Sequence, residues 1–211
     1  MIYIALCMIA SYLLGSVPTG YLFAKILRGI DIRDFGSGNV GATNVFRTVG
    51  KVPGIIVFVL DFMKGFVAAV FIPVFFKNLF FPYENVGAYI GILSGTAAIA
   101  GHIWTVFLNF KGGKGVATTA GVVAGLSPLV VIVCFCLWFF VMSVWKYVSL
   151  ASIAAAVALP VVAVIAGKDF YFIVFCCVLC LLGAYSHRSN IKRLLSGNEA
   201  KIVKSSKIQK N

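Results

Sequence analysis

The chain has 211 residues, 61% of them hydrophobic and only 11% charged, with a mean hydropathy of +1.03. A soluble domain carries about 25% charged residues, so this balance excludes a soluble globular protein and predicts one polytopic membrane domain over residues 1–211. The net charge of +12 would attract nucleic acid in a soluble protein, but no RNA- or DNA-reading motif accompanies it. Cations flanking spans follow from topology and anionic lipid, and no nucleic-acid partner is expected.

The first apolar stretch, 2–27, has no positive charge before Lys25. It lacks the basic region of a cleavable signal and is expected to stay as a span. Further apolar segments run over 54–76, 86–108, 116–145, 147–166 and 170–186, most of them long enough to cross a hydrocarbon core about 30 Å thick. The segment 116–145 is interrupted at Gly125, Leu126, Ser127 and Pro128. The residue before a proline is pushed away from α geometry, which divides the segment into a short helix and a longer one. The reading is an all-α integral membrane protein of seven transmembrane helical segments, with the termini on opposite faces. With the amino terminus outside, the connections 25–51, 109–115, around 146 and 187–211 share one side and carry fifteen of the 18 Lys and Arg. Lys77 and Lys168 fall on the other side and Lys64 inside a span. The positive-inside rule puts the fifteen, the carboxyl terminus and a basic tail over 199–211 in the cytoplasm. A bacterial cytoplasmic membrane is the expected location.

Three polar islands interrupt this pattern, all on the expected cytoplasmic face. The first, GSGNVGATNVFR from Gly36 to Arg47, matches G-x-G-x-x-G literally. No apolar strand leads into it and no βαβ unit surrounds it, so a dinucleotide site is excluded. Its glycines can still turn N–H groups inward toward an anion. Ser37, Asn39, Thr43 and Asn44 add donors there, and Arg47 adds a planar cation. The second island, FKGGKGVATT from Phe110 to Thr119, sets Lys111 and Lys114 among Gly112, Gly113 and Gly115. Close backbone approach, charge and the start of the next helix, with Thr118 and Thr119 in its first turn, all favour an anion. It is not a Walker A loop, because Gly115 stands where the Mg²⁺-holding Ser or Thr would be. In the third island, His187 and Asn190 are three residues apart and share a face on a continuing helix. Lys146, Ser149 and Ser152, at another cytoplasmic helix end, can complete a wall. Each island alone is also accounted for as an ordinary polar connection with topogenic cations; three on one face point to an anion-binding site.

Six acidic residues, Asp31, Asp34, Asp61, Glu84, Asp169 and Glu199, show no spacing for a Mg²⁺ or Zn²⁺ cage. No metal and no cofactor is expected. Cys177 and Cys180 form C-x-x-C without a histidine beside them, which reads as small residues packing helices. Neither histidine has the carboxylate of an H-x-x-x-x-D acyltransferase dyad, since Phe107 stands five residues beyond His102 and Lys192 five beyond His187. Asp61 and Lys64 are three apart inside a span and can pair on one face. Ionisable groups at that depth face the bundle interior, and the pair is expected to form the floor of the anion site, Lys64 reaching toward the first island.

The islands, in this order, resemble the PlsY family of bacterial acylphosphate:glycerol-3-phosphate acyltransferases. The resemblance rests on LLGSVPTGYLFAK at 13–25, GSGNVGATNVFRTVGK at 36–51, LDFMKG at 60–65, GHIWTVFLNFKGGKGVATT at 101–119, KYVSLAS at 146–152 and HRSNIKRLLSGNE at 187–199. It implies a seven-helix fold that uses no metal and no acyl-carrier thioester. It also implies transfer of an acyl chain from acyl phosphate to the first hydroxyl of sn-glycerol 3-phosphate, giving lysophosphatidic acid and phosphate. By that resemblance Ser37 and Arg47 match the essential serine and arginine of the first motif, the Lys111–Gly115 loop the glycerol-phosphate motif, and His187 and Asn190 the functional pair of the third. Ser189 departs from the glutamate usual at its position. Membrane lipid and the two substrates are the expected partners, with no obligate protein partner. A transporter or exchanger of a phosphorylated small molecule is the rival reading, although such proteins place substrate contacts near the midplane in repeated broken helices.

Overall fold

A computed structural model describes residues 2–80 and 88–202. Glu84 and, from the expected basic tail, Lys204, Lys207 and Lys210 lie outside the described residues. Two compact units divide the described chain, one running to Val122 and the other over Val123–Ile202. The regular elements among the described residues are helices.

In the first unit, α1 (Ile2–Ser16) and α2 (Thr19–Arg28) are followed by the short α3 (Ala42–Thr48), the long α4 (Lys51–Phe80), α5 (Ala88–Ile103) and most of α6 (Val116–Leu126). α1 packs on α5, and both pack on α4. Two glycines set these distances. A Cβ at Gly15 would overlap the Ala98 backbone of α5, and one at Gly65 would overlap the Thr118 backbone of α6. Small residues at helix crossings are how spans associate where lipid is as apolar as leucine. Beneath the first island, Ala24, Ile32, Val40, Val45, Val49, Val57 and Leu108 form a buried apolar cluster that anchors the connection to the helices.

The second unit packs α7 (Pro128–Trp145) on α8 (Val148–Ile165) and α8 on α9 (Phe170–Ser186); α10 (Arg188–Leu195) bends away from α9 by 61°. α7 is apolar around its circumference and exposes Leu129, Ile132, Phe135, Phe139 and Phe140. Such a helix is stable when hydrocarbon covers it.

Among the described residues, five segments are long and apolar enough to span: Ile2–Arg28, Lys51–Phe80, Tyr89–Leu108, Pro128–Trp145 and Val148–Ile165. The bent pair α9–α10 makes a sixth if taken as one span. The division at Ser127–Pro128 falls where the proline rule put it, but α6 has only 11 residues, or about 16 Å at 1.5 Å per residue.

The stretch 2–27 stands as one candidate span, Ile2–Arg28, with a break in its helix at Val17–Pro18, because Pro18 has no N–H to donate and disfavours helical geometry at Val17. The second half of the first island is α3. One expectation is corrected: the chain from Glu199 to Ile202 is not free tail, because Ile202 N donates to Lys146 O at 2.8 Å and the Lys201 ammonium lies 5.4 Å from the Tyr147 ring centroid.

Candidate active site

The break between α1 and α2 leaves carbonyls without helical partners, and buried carbonyls must find donors. Thr105 Oγ1, just past α5, donates to Ser16 O at 2.5 Å, and Lys64 Nζ, from α4, donates to Val17 O at 3.2 Å. The same ammonium lies 2.8 Å from Asp61 Oδ1, which also accepts from Thr19 Oγ1 at 2.6 Å. His102 places Nδ1 3.6 Å from that oxygen, an electrostatic contact longer than a hydrogen bond. A cavity of about 10 Å³, barely room for one water, is lined by Ser16, Thr19, Val40, Lys64, His102 and Thr105. Lys64 and Val40 of the first island thus line the same small cavity. Lys64 is only 6% exposed and committed to Asp61 and Val17. His102 lacks a dyad carboxylate at the local spacing, and its carboxylate neighbour, Asp61, comes from a different helix.

The first island is organised from within by Asn44, which is 1% exposed. Its Oδ1 accepts from Ser37 N at 3.0 Å, and its Nδ2 donates to Ile32, Phe35 and Asn39 carbonyls at 3.3, 2.9 and 2.9 Å. Asn39 Oδ1 accepts from Gly41 N at 2.9 Å. Both asparagines therefore shape the loop, where the sequence assigned them to a ligand. Ser37 is exposed, while Thr43 and Arg47 on α3 are half-buried. Asn44→Ala is expected to cost about 1–3 kcal/mol, since Asn39 O and Ser37 N lose the side-chain partner they now use, while the Ile32 and Phe35 carbonyls keep their backbone donors. Asn44→Asp should be at least as damaging, as a carboxylate cannot donate to three carbonyls. Thermal unfolding in detergent measures both; a wild-type transition in Asn44→Asp would remove this role.

The second island is laid across the end of α5. Asn109 and Phe110 adopt left-handed backbone, φ 52° and 60°, a conformation that costs non-glycine residues roughly 1–2 kcal/mol each. Phe110 N donates to Thr105 O at 2.8 Å and holds the turn. Gly112 N and Gly113 N then donate to the Ile103 and His102 carbonyls, each at 3.0 Å. These two amides are thus turned to the protein, not to an anion. The glycines matter for a different reason from the expected ligand approach: a Cβ at Gly112 would overlap His102 O, and one at Gly113 would overlap His102 Nε2. Gly115 is left-handed, φ 79°, and opens α6. Lys111 is exposed and Lys114 half-buried, so the loop's charge is carried at its surface. Thr118 is fully buried against α4 rather than at the loop mouth.

In the second unit, His187 sits at the bend between α9 and α10, so the helix does not continue through it as the sequence suggested. His187 and Asn190 are nonetheless both buried. His187 Nδ1 lies 2.9 Å from Gly183 O. A carbonyl only accepts, so Nδ1 carries the proton and a neutral ring presents its lone pair at Nε2. Asn190 Nδ2 and Ser149 Oγ both donate to Glu199 Oε1 at 2.7 Å, and Arg193 Nε donates to Oε2 at 2.7 Å. Ser152 Oγ donates to Val148 O and accepts from Trp138 Nε1. Glu199 escaped the sequence reading, which placed it in the tail; nothing local marks a carboxylate whose partners lie on α8 and α10.

Burial alone would raise the Glu199 carboxyl, but the donors Ser149, Asn190 and Arg193 outweigh it and hold the group below the usual carboxylate range. A depressed pKa contributes stability above the ordinary carboxylate pKa, and that contribution disappears as pH falls through the folded value. Glu199→Gln should therefore unfold at lower temperature than wild type near neutral pH, and the two should converge in acid. Parallel curves down to the acid limit would mean that the carboxylate charge does nothing here.

Known proteins place this arrangement. The glycerol-3-phosphate acyltransferase family profile matches residues 5–197. The chain belongs to that family. It is 45% identical over 191 residues to a glycerol-3-phosphate acyltransferase of Parasynechococcus marenigrum, covering 90% of this chain and 86% of the relative. To the enzyme of the same description from Geotalea daltonii it is 46% identical over 191 residues, covering 90% and 93%. The crystal structure of PlsY (YgiH), an integral membrane glycerol 3-phosphate acyltransferase, superposes with a TM-score of 0.83 at 41% identity in its glycerol 3-phosphate form, covering 95% of this chain and 96% of that one. Its lysphosphatidic acid form gives 0.81 at the same identity, covering 95% of each. The protein is thus an integral membrane acyltransferase of the PlsY family, and the transporter reading falls.

Proposed function

We propose that this acyltransferase moves an acyl chain from acyl phosphate to the first hydroxyl of sn-glycerol 3-phosphate, releasing lysophosphatidic acid and phosphate. The observation that carries the reading is the pair of solved forms of the 41% identical relative. Glycerol 3-phosphate and lysophosphatidic acid differ by one acyl group on a glycerol hydroxyl, so they are the acceptor and product of one transfer. The proposed setting is a bacterial cytoplasmic membrane with seven helical segments, the amino terminus outside and the chemistry on the cytoplasmic side. The clustering of fifteen of 18 cations in the connections assigned to that side supports it.

In the first unit, Ser37 and Arg47 are assigned to the acyl phosphate, and Lys111 and Lys114, on the loop that Gly112, Gly113 and Gly115 shape, to glycerol phosphate. In the second, His187 and Asn190 are assigned to positioning the glycerol phosphate. The glycerol oxygen attacks the acyl carbonyl carbon and forms the ester bond. The bond from that carbon to the phosphate oxygen breaks, its electron pair leaves with phosphate, and a phosphate oxygen takes the hydroxyl proton. Acyl phosphate is a mixed anhydride with a good leaving group, so the main demand is to orient two anions and stabilise developing negative charge. Cations and hydroxyl donors meet that demand, and no metal or cofactor enters the step.

Purified protein in detergent, given acyl phosphate and glycerol 3-phosphate, should release phosphate and form lysophosphatidic acid in equal amounts. Phosphate release that ignores glycerol 3-phosphate, or product formed only from a thioester donor, would overturn the proposal.

A further inference from the structure

The sequence gives His102 no role, yet its side chain touches both the buried ion pair and the second island. Its Nδ1 edge faces Asp61 Oδ1 at 3.6 Å. Its opposite edge, Nε2, abuts Gly113 so closely that a methyl group there has no room. Its own carbonyl accepts from Gly113 N at 3.0 Å. The ring is 9% exposed and lies below the loop rather than at its surface. Asp61 is fixed in turn by Thr19 and Lys64, and Lys64 by Val17 O. A rigid stack therefore runs from the α1–α2 break through Asp61 and the imidazole to Gly113, one residue from Lys114 and two from Lys111.

We propose that His102 is a positioning residue, a spacer clamped by Asp61 whose Nε2 edge sets the height of the Lys111–Gly115 loop and thereby the affinity for the anionic substrate that this loop holds. The proposal rests on the reading above only in taking that substrate to be glycerol 3-phosphate. A group 1 Å out of place costs affinity without touching substrate. The loop has no helical backbone of its own between Lys111 and Gly115, so its seat must come from what lies beneath it.

The test is steric complementation. His102→Asn keeps a donor near the Nδ1 position for Asp61 and deletes the Nε2 edge; Gly113→Ala adds a methyl where that edge was. Each single variant should raise KM for glycerol 3-phosphate about tenfold, the size of an overpacking or cavity defect. Turnover at saturation and KM for acyl phosphate should stay within about twofold, since neither change reaches a reacting atom. In the double variant the methyl fills the vacated space, and KM should return to within about threefold of wild type. Multiplied defects in the double variant, or a fall in turnover with both KM values unmoved, would overturn the proposal. Lys111→Ala separates this result from the functional reading. If it raises KM for acyl phosphate, the reading of the loop is wrong, and the His102 proposal still stands where the His102 and Gly113 variants move that same KM and recover together. Should Gly113→Ala fail to yield monodisperse protein, recovery of yield by His102→Asn supports the clamp and continued failure of the double variant overturns it.

Discussion

Asp61→Ala should destabilise the protein by about 3–5 kcal/mol, because removing one partner of a buried ion pair strands the other charge. Lys64 is 6% exposed, with Asp61 its only counter-charge among the described residues and Val17 O its other acceptor. The same substitution leaves Thr19 Oγ1 without the acceptor it now uses. The expected result is a large drop in unfolding temperature in detergent and little monodisperse protein; an unfolding temperature near wild type would show that Lys64 has another way to be satisfied. From the sequence alone, exchanging the two residues preserves the pair. The geometry makes the pair directional. In Asp61→Lys with Lys64→Asp, the new carboxylate would face Val17 O, acceptor against acceptor, while the new ammonium would face Thr19 and His102. The exchanged protein should therefore be nearly as unstable as Asp61→Ala. Wild-type stability in it would reduce the cluster to a pair of interchangeable charges.

Arg47→Lys should lower kcat/KM about 100-fold while leaving the fold intact, the effect of removing one well-placed donor from developing anionic charge. Lysine keeps the charge but cannot present two parallel N–H groups to a phosphate. Arg47 is half-buried in the last turn of α3, in a helix fixed through Asn44 and packed on α4, so its direction is set by the island's scaffold. Initial rates against both substrates, alongside an unfolding curve, separate the outcomes. Full activity in Arg47→Lys would remove the guanidinium from the site. Lost activity with lost stability would make Arg47 part of the scaffold instead.

What the sequence by itself determined is whatever is written in local composition. Apolar length gave the helices, Pro128 gave the division of 116–145, and Asp169 caps α9 through Phe172 N as a residue of its type does. The three glycine- and cation-rich islands stood out because polar runs between spans are costly without a use, and their order carried the family. Tertiary structure decided which groups meet. Asn44 closes the first island on itself because its carbonyl partners at Ile32, Phe35 and Asn39 curl back only when the loop is folded. Glu199 joins Ser149 across 50 residues of chain, a separation no spacing rule reaches. Asp61 finds His102 and Thr19 on two other helices, and the break at Val17–Pro18 becomes a feature of the site only because Lys64 and Thr105 arrive to satisfy its carbonyls. Composition is a property of neighbours along the chain, whereas a buried polar group takes its partners from whichever helix the packing brings beside it.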